Sequence, residues 1–250
     1  MAMNAAESHA MLAASQAHPN LIAQIVPSPF TFRVDRTIQD LLAEGYLGDL
    51  HAMSIRGGSS TFNDASAPLH WRQRQTLSGY NIMNMGIWYE AALRWVGPVE
   101  RVYARGRIVT PQRLDPETNQ MSPVDVPDHI DMIADLPNGA QATYTFSAVS
   151  GLGPAPGAWL FGSKGTLHYD QDSRKLWGGK PGDKTLQELV IAPEKEGKWR
   201  VEEEFINAIR GLEPLRLTSF PDGVKYMEFT EAVHRSLASG EMVSVPLPRA

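Results

Sequence analysis

The dipeptide Asn138-Gly139, preceded by Pro137 and flanked by the runs Asp128 to Leu136 and Ala140 to Ser147, constrains this chain more than any other short segment. Both residues tolerate positive φ, so the pair closes a tight hairpin and commits its flanks to antiparallel pairing. Other strand signals extend the same theme. Leu50 to Arg56 reads as a strand, and so does Val99 to Val109, with Arg101, Tyr103 and Arg105 on one face. Ala158 to Tyr169 reads as a strand pair around Gly162-Ser163-Lys164-Gly165; Lys175-Leu176-Trp177 and Leu186 to Ile191 are weaker strands. Thr110 to Pro127 holds Pro, Asp, Asn and Ser and is expected to be a surface excursion.

Helical spacing marks the rest. Asn4 to Ala17 reads as a helix with Asn4 as N-cap and Glu7 three residues on. The short apolar run Leu21 to Val26 then suits a buried strand, ended by Pro27 and Pro29. Further helices are expected over Phe32 to Glu44, Tyr80 to Val96 (stopped by Gly97-Pro98), Trp199 to Arg210 and Pro221 to Ser239. The fold class is therefore α+β. A helix–strand unit over residues 1–29 precedes residues 30–250, an open, predominantly antiparallel sheet of about six strands with helices on one face.

Several function classes are excluded. There is no cysteine, hence no disulfide, thiol nucleophile or thiolate metal site. A net charge of −5 gives no electrostatic reason to expect nucleic acid as a partner. No apolar run is long enough to span a membrane, and the start lacks the pattern of a secretory signal, so the default location is cytoplasmic. Gly57-Gly58 and Gly151-Leu152-Gly153 do not stand between a strand and a helix with the spacing that cradles a dinucleotide pyrophosphate. His129 and Asp131 alone make a poor metal site.

From about Phe30 onward the chain resembles the C-terminal domain of the glucose–fructose oxidoreductase / inositol dehydrogenase (Gfo/Idh/MocA) family. The stretches that carry this are Glu44 to Leu50, Trp71-Arg72, Ser78 to Trp95, Val99 to Val102, the Asp128 to Ser147 hairpin, Gly162 to Leu167, Glu204 to Gly211 and Ala232 to Val245. The start, Met1 to Glu7, resembles the segment directly after the Glu-Lys-Pro turn of that family's Rossmann domain. The resemblance thus implies that residues 1–29 are a remnant of a dinucleotide-binding domain and that the chain is a truncated member. It implies NAD(P) as the full-length family's cofactor, with none bound by this chain alone, and a sugar or polyol substrate. The family's central helix carries an Asp and a His four residues apart; here those positions hold Asn84 and Trp88, neither of which relays a proton.

On that reading Asn81, Asn84 and Trp88 share a helical face that would serve as a sugar platform, amides to hydroxyls and indole to ring; the plainer alternative is a packed helix. Trp71 and Arg72 would lie in a substrate loop, the Arg fork taking a carboxylate or hydroxyls. The weak catalytic candidates are His70, in place of the lost imidazole, and Glu90, which more simply pairs with Arg94 on the helix surface. Tyr103, Arg105 and Arg107, with Tyr144 and Phe146, suggest an uncovered sheet face; the family pairs subunits there, so a homo-oligomer is expected. Three functions remain open: the substrate-binding part of an oxidoreductase, a non-catalytic carbohydrate-binding or partner subunit, and a cofactor-free lyase or hydrolase.

Overall fold

The computed structural model describes residues 2–248. Asn4 caps α1 (Ala5–Ala17), its side-chain oxygen accepting from the Glu7 N–H at 2.9 Å. The amphipathic α2 (Phe32–Ala43) turns Val34 and Ile38 into the core. Then come β1 (Leu50–Gly58), the single-turn α3 (Gln75–Ser78), α4 (Met85–Val96) and β2 (Arg101–Arg107). A small separate hairpin of β3 (Gln112–Asp115) and β4 (Gln120–Pro123) precedes β5 (His129–Asp135) and β6 (Gln141–Ser147), which pair as a hairpin through a turn from Leu136 to Ala140 in which Gly139, and not Asn138, takes a positive φ (81°). β7 (Gly157–Gly162), β8 (Gly165–Asp170), β9 (Lys175–Gly179) and the two-residue β10 (Gln187–Glu188) form a meander. α5 (Val201–Ile209), α6 (Phe220–Ser239) and the short β11 (Val243–Ser244) complete the chain order.

The main sheet has nine strands in the order β10-β9-β8-β7-β1-β6-β5-β2-β11. Only the β1–β6 pair is parallel. Because side chains alternate across a strand, the sheet has one apolar face, where Met53, Ile55, Ile130, Met132, Tyr144 and Phe146 are at most 2 % exposed. α4 and α6 cover that face, and Tyr89 of α4 stacks on Phe229 of α6 with ring centroids 3.7 Å apart. The α+β architecture with helices on one face agrees with the periodicity of the sequence.

Four expectations need correction. The run Leu21 to Val26 is not a buried strand: Leu21 and Val26 are 69 % and 67 % exposed, the Leu21 N–H donates to His18 in a local turn at 2.9 Å, and Ile25 exchanges backbone bonds with Thr218 at 3.0 and 3.4 Å. Apolar character does not provide strand neighbours, and among the described residues this run finds none. The central helix begins at Met85, not Tyr80: Gly79 ends α3 with a positive φ (60°), and Met83, inside the expected helix, takes a positive φ (49°) that interrupts the run. The stretch from 110 to 127 is not a plain surface excursion, since β3 carries Arg113, only 1 % exposed, whose guanidinium donates to the carbonyls of Phe62, Asp64 and Ala67 at 2.6–3.0 Å. Finally, Tyr144 and Phe146 lie on the covered face. The register instead aligns Tyr103 with Ile133, Thr143, Ser54, Trp159, His168 and Trp177 in one row across the uncovered face.

Candidate functional site

The turn at Trp71-Arg72-Gln73 is held from both sides. His70 Nδ1 accepts from the Arg72 N–H at 3.2 Å, and Gln73 Oε1 accepts from the His70 N–H at 3.2 Å. Gln73 Nε2 also donates to the buried Asp128 at 3.0 Å, which fastens the turn to the start of β5. Just beyond it, the Gln75 N–H caps on Asp125 at 2.6 Å and Arg74 pairs with Asp115. This anchoring leaves the Trp71 indole 49 % exposed, with the Arg72 guanidinium 4.6 Å from its ring centroid. No acidic side chain pairs with Arg72 among the described residues.

Opposite the turn, Tyr80 donates its N–H to the Met3 carbonyl at 3.0 Å. Asn81 Nδ2 donates to the carbonyls of Ser78 at 3.2 Å and Ala2 at 3.5 Å, whereas Asn81 Oδ1 is buried and accepts from nothing. Between these walls lies a cleft of about 360 Å³ lined by Met3, Trp71, Arg72, Asn81, Gly86 and Ile87, among others. Its lining contains one ionic side chain, Arg72, and neither carboxylate nor imidazole.

The expected site residues therefore separate. Trp71, Arg72 and Asn81 converge on the cleft. His70 borders it in sequence, yet its Nδ1 is committed to the turn, and burial together with Arg72 pushes its pKa down from the usual histidine value. Asn84 precedes α4 and turns its amide to β1; a Cβ on Gly57 would lie 3.0 Å from its Oδ1. Trp88 is wholly enclosed, with Phe30 edge-on at 5.8 Å and Tyr169 at 6.4 Å, so it offers no surface to a sugar ring. The shared face of Asn81, Asn84 and Trp88 does not form, since Asn81 lies before the helix.

Glu90 and Arg94 pair at 2.9 Å as the i, i+4 spacing predicts, but not on the surface: each side chain is 8 % exposed. Glu90 also accepts from the Ser28 N–H at 3.1 Å and from Thr218 Oγ1 at 2.6 Å. Arg94 Nη2 donates to the Ser28 carbonyl and Thr31 Oγ1 at 3.1 and 2.9 Å, and Arg94 Nε faces Asp35 at 3.0 Å. Asp35 in turn accepts from Trp95 Nε1 at 2.7 Å. A carboxylate so engaged ties residues 28–31 and 218 to α4, and Glu90 is not among the residues that line the cleft. Sequence reasoning missed the contribution of Ala2 and Met3 to the cleft wall, because their contact with residues 79–81 leaves no local pattern.

Gly57 and Gly58 do not form a strand-to-helix turn. Gly57 lies within β1 where Phe146 and Asn84 press on it, and Gly58 leads into a loop instead of a helix. Among the described residues no group of three His, Asp or Glu side chains is placed to hold a metal ion, and no helix is long and apolar enough to cross a membrane.

A sequence model of the GFO/IDH/MocA C-terminal domain matches residues 36–168, more than half of the chain. Among solved structures, the chain is similar to an NAD binding oxidoreductase from Klebsiella pneumoniae, with a TM-score of 0.82 at 17 % identity, covering 99 % of this chain and 72 % of that one. It is similar to a levoglucosan dehydrogenase in complex with NADH and L-sorbose, at 0.83 and 21 % over the same shares of the two chains. It is also similar to an oxidoreductase domain protein from Kribbella flavida, at 0.83 and 20 %, covering 98 % and 73 %. At these identities the likeness is one of fold. No curated protein sequence matches.

Proposed function

Because the chain belongs to the GFO/IDH/MocA family, we propose that it recognises a sugar or polyol in the cleft of Trp71, Arg72 and Asn81 and does not hold a dinucleotide tightly by itself. The observation that carries this is the cleft's composition. An exposed indole and an unpaired guanidinium are groups that meet a hydroxylated ring, with no acid or base among the lining residues. Similar structures include one described as a complex of levoglucosan dehydrogenase with NADH and L-sorbose, which supports a sugar as the ligand class and NAD(P) as the family's cofactor. On this reading the chain is the substrate-recognising part of an oxidoreductase system, and residues 1–29 act as a strap over the substrate domain, 30–250. Redox turnover needs a nucleotide-binding part that these residues do not supply.

The uncovered sheet face is the natural self-association surface. Ile133, Trp159 and Phe161 are 46 %, 36 % and 38 % exposed on it, and Trp159 stacks on His168 at 3.8 Å. No helix covers this face among the described residues, so a second copy of the chain is the occupant we assign. A thermal-shift panel of sugars, polyols, NADH and NADPH tests the main reading. Stabilisation by a sugar or polyol and not by either nucleotide supports it; stabilisation by a nucleotide at micromolar concentration refutes it.

A further inference from the structure

The cleft carries a narrower assignment, which rests on its reading as a sugar site. We propose that its ligand is a sugar acid, whose carboxylate meets Arg72 and whose apolar ring face meets Trp71.

Each part answers an unmet valence. Arg72 brings a full positive charge to a lining without any carboxylate, whereas Arg74, two residues on, is neutralised by Asp115. Its guanidinium lies against the Trp71 ring at 4.6 Å, which leaves edge N–H donors for a planar acceptor that takes two parallel hydrogen bonds. A carboxylate has that geometry, and a hydroxyl does not. A cationic ligand such as an amino sugar is repelled by the same charge.

Asn81 shapes the wall: its Nδ2 donates to the Ser78 and Ala2 carbonyls, which ties residues 2–3 to the cleft, while its Oδ1 is buried out of reach of a ligand. Trp71 sets the second requirement, because a half-exposed indole gains by covering its face with the C–H face of a ring. The cleft, about 360 Å³, has the size of a small-ligand site. A phosphate ester is the rival ligand, because Gly86 and Ile87 in the first turn of α4 line the cleft beside Arg72; glucose 6-phosphate in the test separates the two.

The test is calorimetry on the full chain with D-glucuronate, D-galacturonate, D-glucose, D-galactose and D-glucose 6-phosphate, for the parent and for Arg72→Gln and Trp71→Ala. Both positions border the cleft and are exposed, so unchanged melting of Arg72→Gln confirms that it folds. At least one uronate is expected to bind about ten-fold or more tighter than its neutral counterpart. That preference should vanish in Arg72→Gln while neutral-sugar binding persists, and both ligands should weaken in Trp71→Ala. Equal affinity for acid and neutral sugar, an acid preference that survives Arg72→Gln, or tighter binding of the phosphate overturns the sugar-acid assignment. Neutral binding that is still lost in Trp71→Ala would leave the broader sugar reading in place. No binding by any of the five compounds would overturn both.

Discussion

Replacing Glu90 with Gln separates a structural carboxylate from a catalytic one. Gln keeps the shape and one carbonyl oxygen but adds an NH₂ that must face either the Ser28 N–H or the Arg94 guanidinium, both of which are donors. One hydrogen bond to a charged acceptor is lost, worth about 1.5–3 kcal/mol, and a buried donor is left unpaired at a cost of about 1–3 kcal/mol. Asp35 still faces Arg94 at 3.0 Å, so the arginine is not stranded, and the total stays near the lower sums, about 3 kcal/mol. For a chain of this size that lowers Tm by roughly 6–12 °C. Differential scanning calorimetry measures it. A double-mutant cycle with Thr218→Val should show coupling, because Thr218 Oγ1 donates to the same carboxylate at 2.6 Å. An unchanged Tm in Glu90→Gln, accompanied by loss of ligand binding or turnover, would refute the structural reading.

Three further outcomes are expected. Trp88→Ala removes a fully enclosed indole and should cost about 3–5 kcal/mol in chemical denaturation; a variant of parent stability that has lost only sugar affinity would restore Trp88 as a platform. Burial beside Trp159 holds the His168 pKa below its usual value, as burial also does for His70 and His234, so the unfolded chain takes up these protons first. Stability is therefore complete above about pH 6.5 and falls as pH drops through the lowered folded-state values; His168→Phe should flatten, without abolishing, the slope of Tm between pH 7.5 and 5.5, and an unchanged slope counts against it. Arg113→Met frees three carbonyls of the 62–67 loop and should speed limited proteolysis between residues 59 and 70, while equal cleavage rates would contradict the anchoring role.

Much of the fold was legible because it rests on local chemistry. The Pro137-Asn138-Gly139 turn sets the β5–β6 hairpin, Gly162 to Gly165 sets β7–β8, and Asn4 starts α1. The parts that were not legible depend on partners far away in sequence. The run from Leu21 to Val26 has the composition of a strand and lacks neighbours, and the phase of β6 relative to β2 is fixed by register across β5, so Tyr144 changes faces from its expected position. The site shows the same division. Trp71 and Arg72 sit on a short turn whose side chains have little choice of direction, and both reach the cleft. Trp88 and Glu90 occupy a helix whose polar and apolar faces are both buried, by Phe30 and Tyr169 on one side and by Ser28 and Thr218 on the other, and no helical-wheel argument reveals burial of a polar face.

Co-crystallisation of the purified chain with D-glucuronate and NADH together gives the most direct measurement of the central claim. The account predicts electron density for the sugar acid in the cleft, carboxylate on Arg72 and ring on Trp71, and none for the nucleotide. Nicotinamide held against this polypeptide alone, or sugar seated elsewhere with the cleft filled only by water, would contradict it.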